Sequence, residues 1–323
     1  MKKGFLQIAS GEQMEISRIV LGVGNYGIRH KRDESFKLMD RYFEAGGDVF
    51  DTARMYMAWV KGGASQSEKT LGDWIKSRGV RDKVKILTKG AHPEWRSMHI
   101  SRLARETIEM DIRTSLAVLG VDYIDIFGLH RDDETIPVGE IIDVLDDFVK
   151  EGICKIICAS NWRIDRIIEA NEYAQKNGKT PFTVSSIQWT LAALRRDEMF
   201  DKTCVCMEPQ EYDGYVKSGI PIVSYTSQAN GFFAKYISKG DEAFAERRSV
   251  FLNDLNRERS KKVDEVCKKL GVSPAALSVA YVTSDTKLSG FAIIGNSSIE
   301  QLNDSLTASD MTIDEETRSY LVS

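Results

Sequence analysis

Val84-Lys85-Ile86-Leu87-Thr88, followed at once by Lys89-Gly90, is the stretch on which the fold turns. It is short, apolar and rich in β-branched residues, as a strand covered on both faces must be. The lysine directly after it cannot enter an apolar interior without a partner. Similar runs lie on either side. Upstream are Ile19-Val20-Leu21-Gly22-Val23 and Val49-Phe50. Downstream are Tyr123-Ile124-Asp125-Ile126-Phe127, Lys155-Ile156-Ile157-Cys158, Val184-Ser185-Ser186-Ile187, Pro221-Ile222-Val223-Ser224 and Phe291-Ala292-Ile293-Ile294. Most successive runs are roughly 30 to 40 residues apart, about one βα unit.

Helical patterns fill the intervals. Ser65 to Arg78 is one, with Ser65-x-x-Glu68 as a capping box. Ser101 to Leu119 carries Leu103, Ile108, Ile112, Leu116 and Leu119 near the helical period, and Val138 to Val149 stops near Gly152. Eight βα units without a break favour a closed parallel (β/α)8 TIM barrel over a doubly wound sheet, as a single domain over residues 1–323. Gly4 to Ile16 alternates around Ser10-Gly11-Glu12 and is expected to form a hairpin before the barrel. After strand seven, Gly231 to Arg259 is expected to be a long loop over the barrel top, a candidate cofactor lid, before a helix from Lys261 to Leu270.

The 323 residues are 42% hydrophobic and 28% charged, with a net charge of −4. That balance argues against nucleic acid or an anionic membrane as the main partner. No apolar run approaches the roughly 20 residues of a membrane helix. The basic start Met1-Lys2-Lys3 runs into the polar stretch Ser10 to Glu15, so no export and a cytoplasmic location are expected. Cys154, Cys158, Cys204, Cys206 and Cys267 lack zinc-ribbon or redox spacing, and are expected to be free thiols with no metal. The oligomeric state is open.

In such a barrel the active site lies at the C-terminal ends of the strands. That rule selects Asp51 and, just beyond it, Tyr56; Lys89; His130 with Arg131; Ser160-Asn161-Trp162; Gln188-Trp189; Tyr225-Thr226; and Gly295-Asn296-Ser297. Alone, Asp51 reads as a helix cap, Tyr56 as a loop anchor and His130 as a structural histidine. Together with Lys89 they suit a reaction that protonates an oxygen as it becomes an alkoxide. A phenol near pKa 10 is a weak acid at neutral pH, and an adjacent ammonium is expected to lower it. Asp51 would keep that ammonium charged, and an imidazole would orient the carbonyl. The hydride must come from a cofactor.

The segments Leu21-Gly22-Val23-Gly24-Asn25-Tyr26-Gly27, Phe50 to Tyr56, Ser67 to Gly72, Leu87-Thr88-Lys89, Leu129 to Asp133, Ala159 to Trp162, Ile187-Gln188-Trp189 and Ile294 to Leu302 resemble the aldo-keto reductase superfamily over nearly the whole chain. The resemblance implies Tyr56 as proton donor, Lys89 tuning it, Asp51 pairing with Lys89, and His130 positioning the carbonyl. It implies that Ser160, Asn161 and Gln188 hold the nicotinamide carboxamide, that Tyr225 stacks on the ring, and that Gly24, Asn25, Tyr26 and Asp51 lie at that end. Thr226, Gln228, Gly231 and Lys235 fall on the pyrophosphate side; Gly295, Ser297 and Gln301 fall at the adenosine end. Ser297 and Gln301 are similar to the branch that includes potassium-channel β-subunits, which implies NADP(H), with NAD(H) as the alternative. Three departures stand out. The loop Met57 to Gly63 is expanded, Ser227 and Gln228 replace a frequent proline and leucine, and the adenosine loop lacks the Lys or Arg often aimed at the 2′-phosphate.

A Rossmann reading of Gly22-x-Gly24-x-x-Gly27 fails, because a charged loop, Ile28 to Asp33, follows the last glycine where a helix should start. A nucleotide-binding redox-sensing or regulatory subunit with little turnover is the alternative to a reductase. The substrate is expected to be a small carbonyl or alcohol, with a carbohydrate suggested by Tyr26, Trp59, His92, Trp95, His130 and Trp162 around the mouth, Arg131 beside them.

Overall fold

A computed structural model describes residues 1–246 and 249–323. The chain opens with an antiparallel hairpin, β1 (Lys3–Gln7) and β2 (Gln13–Ser17). Eight strands follow: β3 (Ile19–Gly22), β4 (Val49–Asp51), β5 (Lys85–Gly90), β6 (Ile124–Leu129), β7 (Cys154–Ser160), β8 (Val184–Ser186), β9 (Ile222–Ser224) and β10 (Gly290–Ile294). All pair in parallel, and β10 returns to β3 to close the barrel. Around it stand α1 (Arg32–Glu44), α2 (Gln66–Arg78), α3 (Arg105–Leu119), α4 (Val138–Lys150), α5 (Ile164–Asn177), α6 (Pro209–Ser218), α7 (Phe232–Lys239), α8 (Asp254–Leu270), α9 (Pro274–Thr283), α10 (Ile299–Leu306) and α11 (Glu315–Val322). Among the described residues no helix is long and apolar enough to cross a membrane.

The barrel has two apolar layers because successive strand residues point to opposite faces. Val20, Val49, Leu87, Ile126, Ile156, Cys158, Val184, Val223, Phe291 and Ile293 fill the interior. Leu6, Met14 and Ile16 of the hairpin join that cluster and plug the end where the strands begin. Leu21, Phe50, Ile86, Phe127 and Ile157 face outward and pack under the helices.

Several expectations need correction. Ser65 takes a left-handed backbone conformation and its side chain caps nothing; Glu68 is buried and accepts a hydrogen bond from Thr88 Oγ1 at 2.6 Å. The buried carboxylate finds its partner across on β5 rather than in its own helix. Helix α3 begins at Arg105, not Ser101, because Arg102 reaches down to Asp111 (2.7 Å) and holds the preceding segment off the helix axis. Helix α8 begins at Asp254, capped by Asn253, well before Lys261. The interval expected to be a long loop is therefore helical over α7 and the start of α8. Phe232, Phe233 and Phe251 bury a separate apolar cluster there with Val263, Val266 and Leu277. Residues 247 and 248 of that interval lie outside the described residues.

Candidate active site

The alternation that fills the barrel also chooses what stands at its mouth. Continuing each inward row by two residues gives Gly24 after Gly22, Asp51 after Val49, Lys89 after Leu87, His130 after Gly128, Ser160 after Cys158, Gln188 after Ser186, Tyr225 after Val223 and Gly295 after Ile293. Chemistry-bearing side chains thus replace apolar ones in the top layer. The backbone just past the strands is held in unusual conformations. Met57, Ala91, Asn161 and Thr226 all have positive φ, between 54° and 61°. Such non-glycine residues persist only where surrounding structure over-determines them, and they cluster at functional sites.

Three members of the expected tetrad form one hydrogen-bonded unit. Lys89 Nζ donates to Asp51 Oδ1, to the Thr52 carbonyl (3.2 Å) and to the Tyr56 hydroxyl (3.2 Å). The Tyr56 hydroxyl also lies 3.2 Å from Asp51 Oδ2. Two glycines make room: a Cβ on Gly128 would sit 3.2 Å from Lys89 Cγ, and one on Gly24 3.0 Å from the Tyr56 ring. The His130 ring meets the Tyr56 ring edge-on, centroids 5.6 Å apart.

Electrostatics set the protonation states. Burial opposes charge on Lys89, but the Asp51 carboxylate overrides it and holds the ammonium above its ordinary value. Burial pushes the Tyr56 phenol up to about 12, Asp51 adds to the rise, and Lys89 pulls against both. This reverses the expected lowering: burial opposes the phenolate, and an ammonium already paired with a carboxylate offers it little net positive charge in return. Burial, then Arg131, His92 and Lys89, push the buried His130 well below its usual value, so the imidazole is neutral. Its Nδ1 has no hydrogen-bond partner among the described residues.

Aromatic rings continue from this centre in a chain. His92 lies edge-on to His130 (4.8 Å), Trp95 tilts over His92 (5.5 Å), and Trp59 of the expanded loop meets Trp95 edge-on (4.8 Å). Trp59 and Trp95 are 53% and 43% exposed, which leaves part of each ring open to solvent. Tyr26 and Trp162 do not join them. Both are buried in the layer between sheet and helices, Tyr26 against His30 and Trp162 against Phe182 at 5.1 Å. Their rings pack in that layer, and the Tyr26 hydroxyl and the Trp162 Nε1 find no hydrogen-bond partner among the described residues.

The residues expected at a nicotinamide fit such a group. The Gln188 side-chain amide is nearly buried and makes no hydrogen bond among the described residues. Asn161 donates to the His130 carbonyl and to Ser160 Oγ (3.3 Å each), and its Oδ1 accepts from the Tyr225 hydroxyl at 2.6 Å. Further out, Lys235 Nζ donates to the Asn230 carbonyl (2.8 Å) and to no other group among the described residues, and it stays exposed beside Gly231. Gln228 is tied to Ser305 Oγ (2.8 Å), and Gln301 Oε1 accepts from the Ser297 N–H (2.9 Å). A Cβ on Gly295 would meet open space. Asn25 instead braces its own turn, its carbonyl accepting from Arg29 N–H at 2.9 Å, and Thr226 accepts from Ala229 N–H at 2.8 Å.

Two braces were not legible in the sequence. Arg131 reaches Asp201 (2.9 Å) and Thr203 (2.7 Å), joining the segments after β6 and β8. Arg54 and Arg102 both engage the buried Asp111, at 3.2 and 2.7 Å, behind β5. Their partners are far apart along the chain, so no local spacing announces them; only the strand-end position of Arg131 hinted at a role.

Comparison with known proteins identifies the family. The aldo/keto reductase family model matches residues 18–323. The chain is 25% identical to aryl-alcohol dehydrogenase [NADP(+)] of Phanerodontia chrysosporium, over 98% of this chain and 84% of that protein. It is 27% identical to norsolorinic acid reductase stcV of Emericella nidulans, over 94% of this chain and 76% of that protein. Aldo-keto reductase ausK, also of Emericella nidulans, is 30% identical over 90% of this chain and 72% of its own length. With a closed eight-stranded barrel and a family match over all but its first residues, this chain belongs to the aldo/keto reductase family and is an oxidoreductase.

Proposed function

We propose that the chain interconverts an aldehyde or ketone and its alcohol, with Tyr56 as proton donor in the reducing direction and NADP(H) as the preferred cofactor. One observation carries this reading: the Tyr56 hydroxyl stands 3.2 Å from both Lys89 Nζ and Asp51 Oδ2, at the open end of the barrel beside His130. A bound nicotinamide supplies the hydride. Tyr56 gives its proton to the carbonyl oxygen, and the Lys89 ammonium stabilises the phenolate left behind. Asp51 keeps Lys89 charged. Neutral His130 orients the carbonyl without competing as an acid. Ser160, Asn161 and Gln188 would hold the carboxamide, which requires Asn161 to be released by the Tyr225 hydroxyl, one of two donors on its Oδ1 beside the Val205 N–H. Tyr225 is then free to stack on the ring. Lys235 meets the pyrophosphate, and Ser297 with Gln301 meets the adenosine end. NADP(H) is favoured by the likeness of that loop to the potassium-channel β-subunit branch and by the cofactor in the printed name of the Phanerodontia relative.

Trp59, Trp95 and His92 offer faces for a planar or ring-shaped substrate. That fits an aryl alcohol, the substrate in the printed name of the same relative, and the aryl aldehyde it would interconvert with. The test is Tyr56→Phe assayed with benzaldehyde and NADPH. Turnover is expected to fall roughly 10²- to 10⁴-fold, while NADPH still raises the melting temperature. Undiminished turnover would remove Tyr56 from its role. If wild-type protein binds NADPH tightly and no aldehyde oxidises it in a single turnover, the regulatory-subunit reading wins instead.

A further inference from the structure

Past Asp51 the β4 strand has no ladder to align it. Its pairing with β5 runs Val49–Lys85, Phe50–Ile86 and Asp51–Leu87 and ends there. Tyr56 stands five residues beyond that end, in a run of turns, and the next residue, Met57, has a φ of 61°. Its hydroxyl must nevertheless meet Lys89 of β5, at 3.2 Å. Two main-chain bonds bridge the gap, from Thr52 N–H to the Leu87 carbonyl (2.8 Å) and from Arg54 N–H to the Lys89 carbonyl (3.2 Å). Side chains must supply the rest of the alignment.

Asp111, on the buried face of α3, is fully enclosed and uses both carboxylate oxygens. Its Oδ2 accepts from the Ala91 N–H at 2.8 Å. Its Oδ1 is ion-paired with Arg54 Nε at 3.2 Å and accepts from Arg102 Nη2 at 2.7 Å. Ala91 lies two residues after Lys89, and Arg54 two residues before Tyr56. One planar, rigid group thus joins the segment that carries the ammonium to the segment that carries the phenol. The surroundings are shaped for it. A Cβ on Gly90 would sit 3.0 Å from Asp111 Cβ, so the glycine lets the carboxylate come close. Ala91 has a φ of 58°, which a residue with a Cβ holds only where its neighbours impose it. Stability alone does not call for a charge here, since an apolar side chain of similar volume often replaces a buried ion pair without loss. What the carboxylate adds is direction at two points.

We infer that Asp111 is a positioning residue for proton transfer at Tyr56: sealed behind β5, it acts through Arg54 and Ala91 by holding the Tyr56 turn against the Lys89 end of the strand. The inference rests on the reaction proposed above and adds the group that aligns its donor. The test assays benzaldehyde reduction with NADPH in wild type, Arg54→Gln, Asp111→Asn and Arg102→Gln, with NADPH affinity read by fluorescence titration. An asparagine can offer an acceptor to the guanidiniums or to the Ala91 N–H, but not to both. Arg54→Gln and Asp111→Asn are expected to lower kcat about tenfold or more, as small misplacements of reacting groups do. NADPH affinity and KM should stay near wild type, and the solvent deuterium isotope effect on kcat should grow as proton transfer becomes the slow step. Arg102 joins the same carboxylate to Glu94 (3.3 Å) and not to the Tyr56 turn, so Arg102→Gln should lower the melting temperature and leave kcat near wild type. Arg54→Gln keeps Arg102 on the carboxylate, and it decides the matter where Asp111→Asn does not fold. Unchanged kcat in folded Arg54→Gln, an equal loss in Arg102→Gln, or a loss of kcat with an unchanged isotope effect overturns the positioning role. A Tyr56→Phe variant that turns over like wild type removes the reaction itself. An inactive Tyr56→Phe beside a fully active Arg54→Gln removes Asp111 alone.

Discussion

Asp51 governs the behaviour of both its neighbours. It keeps the buried Lys89 charged and adds to the burial that leaves the Tyr56 phenol a weak acid in the absence of substrate. Removing the ammonium alone strands a buried carboxylate, so Lys89→Met is expected to destabilise the fold by about 3–5 kcal/mol. Adding Asp51→Asn should restore most of that loss. Urea unfolding of the two single variants and the double measures it; equal stabilities of Lys89→Met and wild type would contradict the pairing. His130 carries a pH prediction. Its folded-state value lies below the ordinary 6.5, so the unfolded chain takes up that proton more readily. The stability tied to the neutral imidazole is thus complete above about pH 6.5 and is lost as the pH falls from there toward the folded-state value. His92, lowered by burial and Arg131, contributes in the same sense. Between pH 7.5 and 5.5 the urea midpoint should fall, and fall less in His130→Asn. Parallel profiles for the two proteins would refute this.

The barrel strands, α2, α3, α4 and the latter part of α8 were legible in the sequence because their signals are local. Apolar runs marked all eight barrel strands, and apolar residues at the helical period marked α3 and α4. Two strands run on past their apolar stretch, β5 to Lys89 and Gly90 and β7 to Ser160, because backbone pairing continues after the apolar pattern stops. Helix α7 was missed. Its Phe232 and Phe233 bury against Phe251 and α8 rather than the barrel, and the surrounding charges hid the period. Contact between α2 and α3 depends on a glycine that no pattern singled out. A Cβ on Gly72 would lie 2.3 Å from the Leu119 carbonyl oxygen. Gly72→Ala must push the two helices apart, at about 1–3 kcal/mol. Thermal melting should show a clear drop; an unchanged melting temperature would mean the helices separate freely.

The closed barrel is what turns scattered residues into one site, and the N-terminal hairpin is what seals its far end. Ile16 is fully buried in the interior cluster with Leu6, Met14 and Val20. Ile16→Ala is expected to cost about 2–5 kcal/mol by leaving a void under the barrel floor. The effect should be seen in urea unfolding as a lower midpoint with an unchanged slope. A loss below about 0.5 kcal/mol, the range of ordinary surface changes, would make the hairpin an ornament rather than a plug.

The amino-acid order alone was enough for the βα repeat, the closed barrel, the hairpin and the meeting of Asp51, Tyr56, Lys89 and His130 at one end, because alternation along a strand dictates which side chain reaches the mouth. It was not enough for what depends on distance in space. Folding turned Tyr26 and Trp162 into the outer layer, since a large ring goes where a gap is left to fill. It joined Arg131 to Asp201 across 70 residues and raised the Tyr56 phenol where the nearby lysine promised to lower it. Net charge at an atom is a sum over everything packed around it, and that sum exists only after the chain has closed.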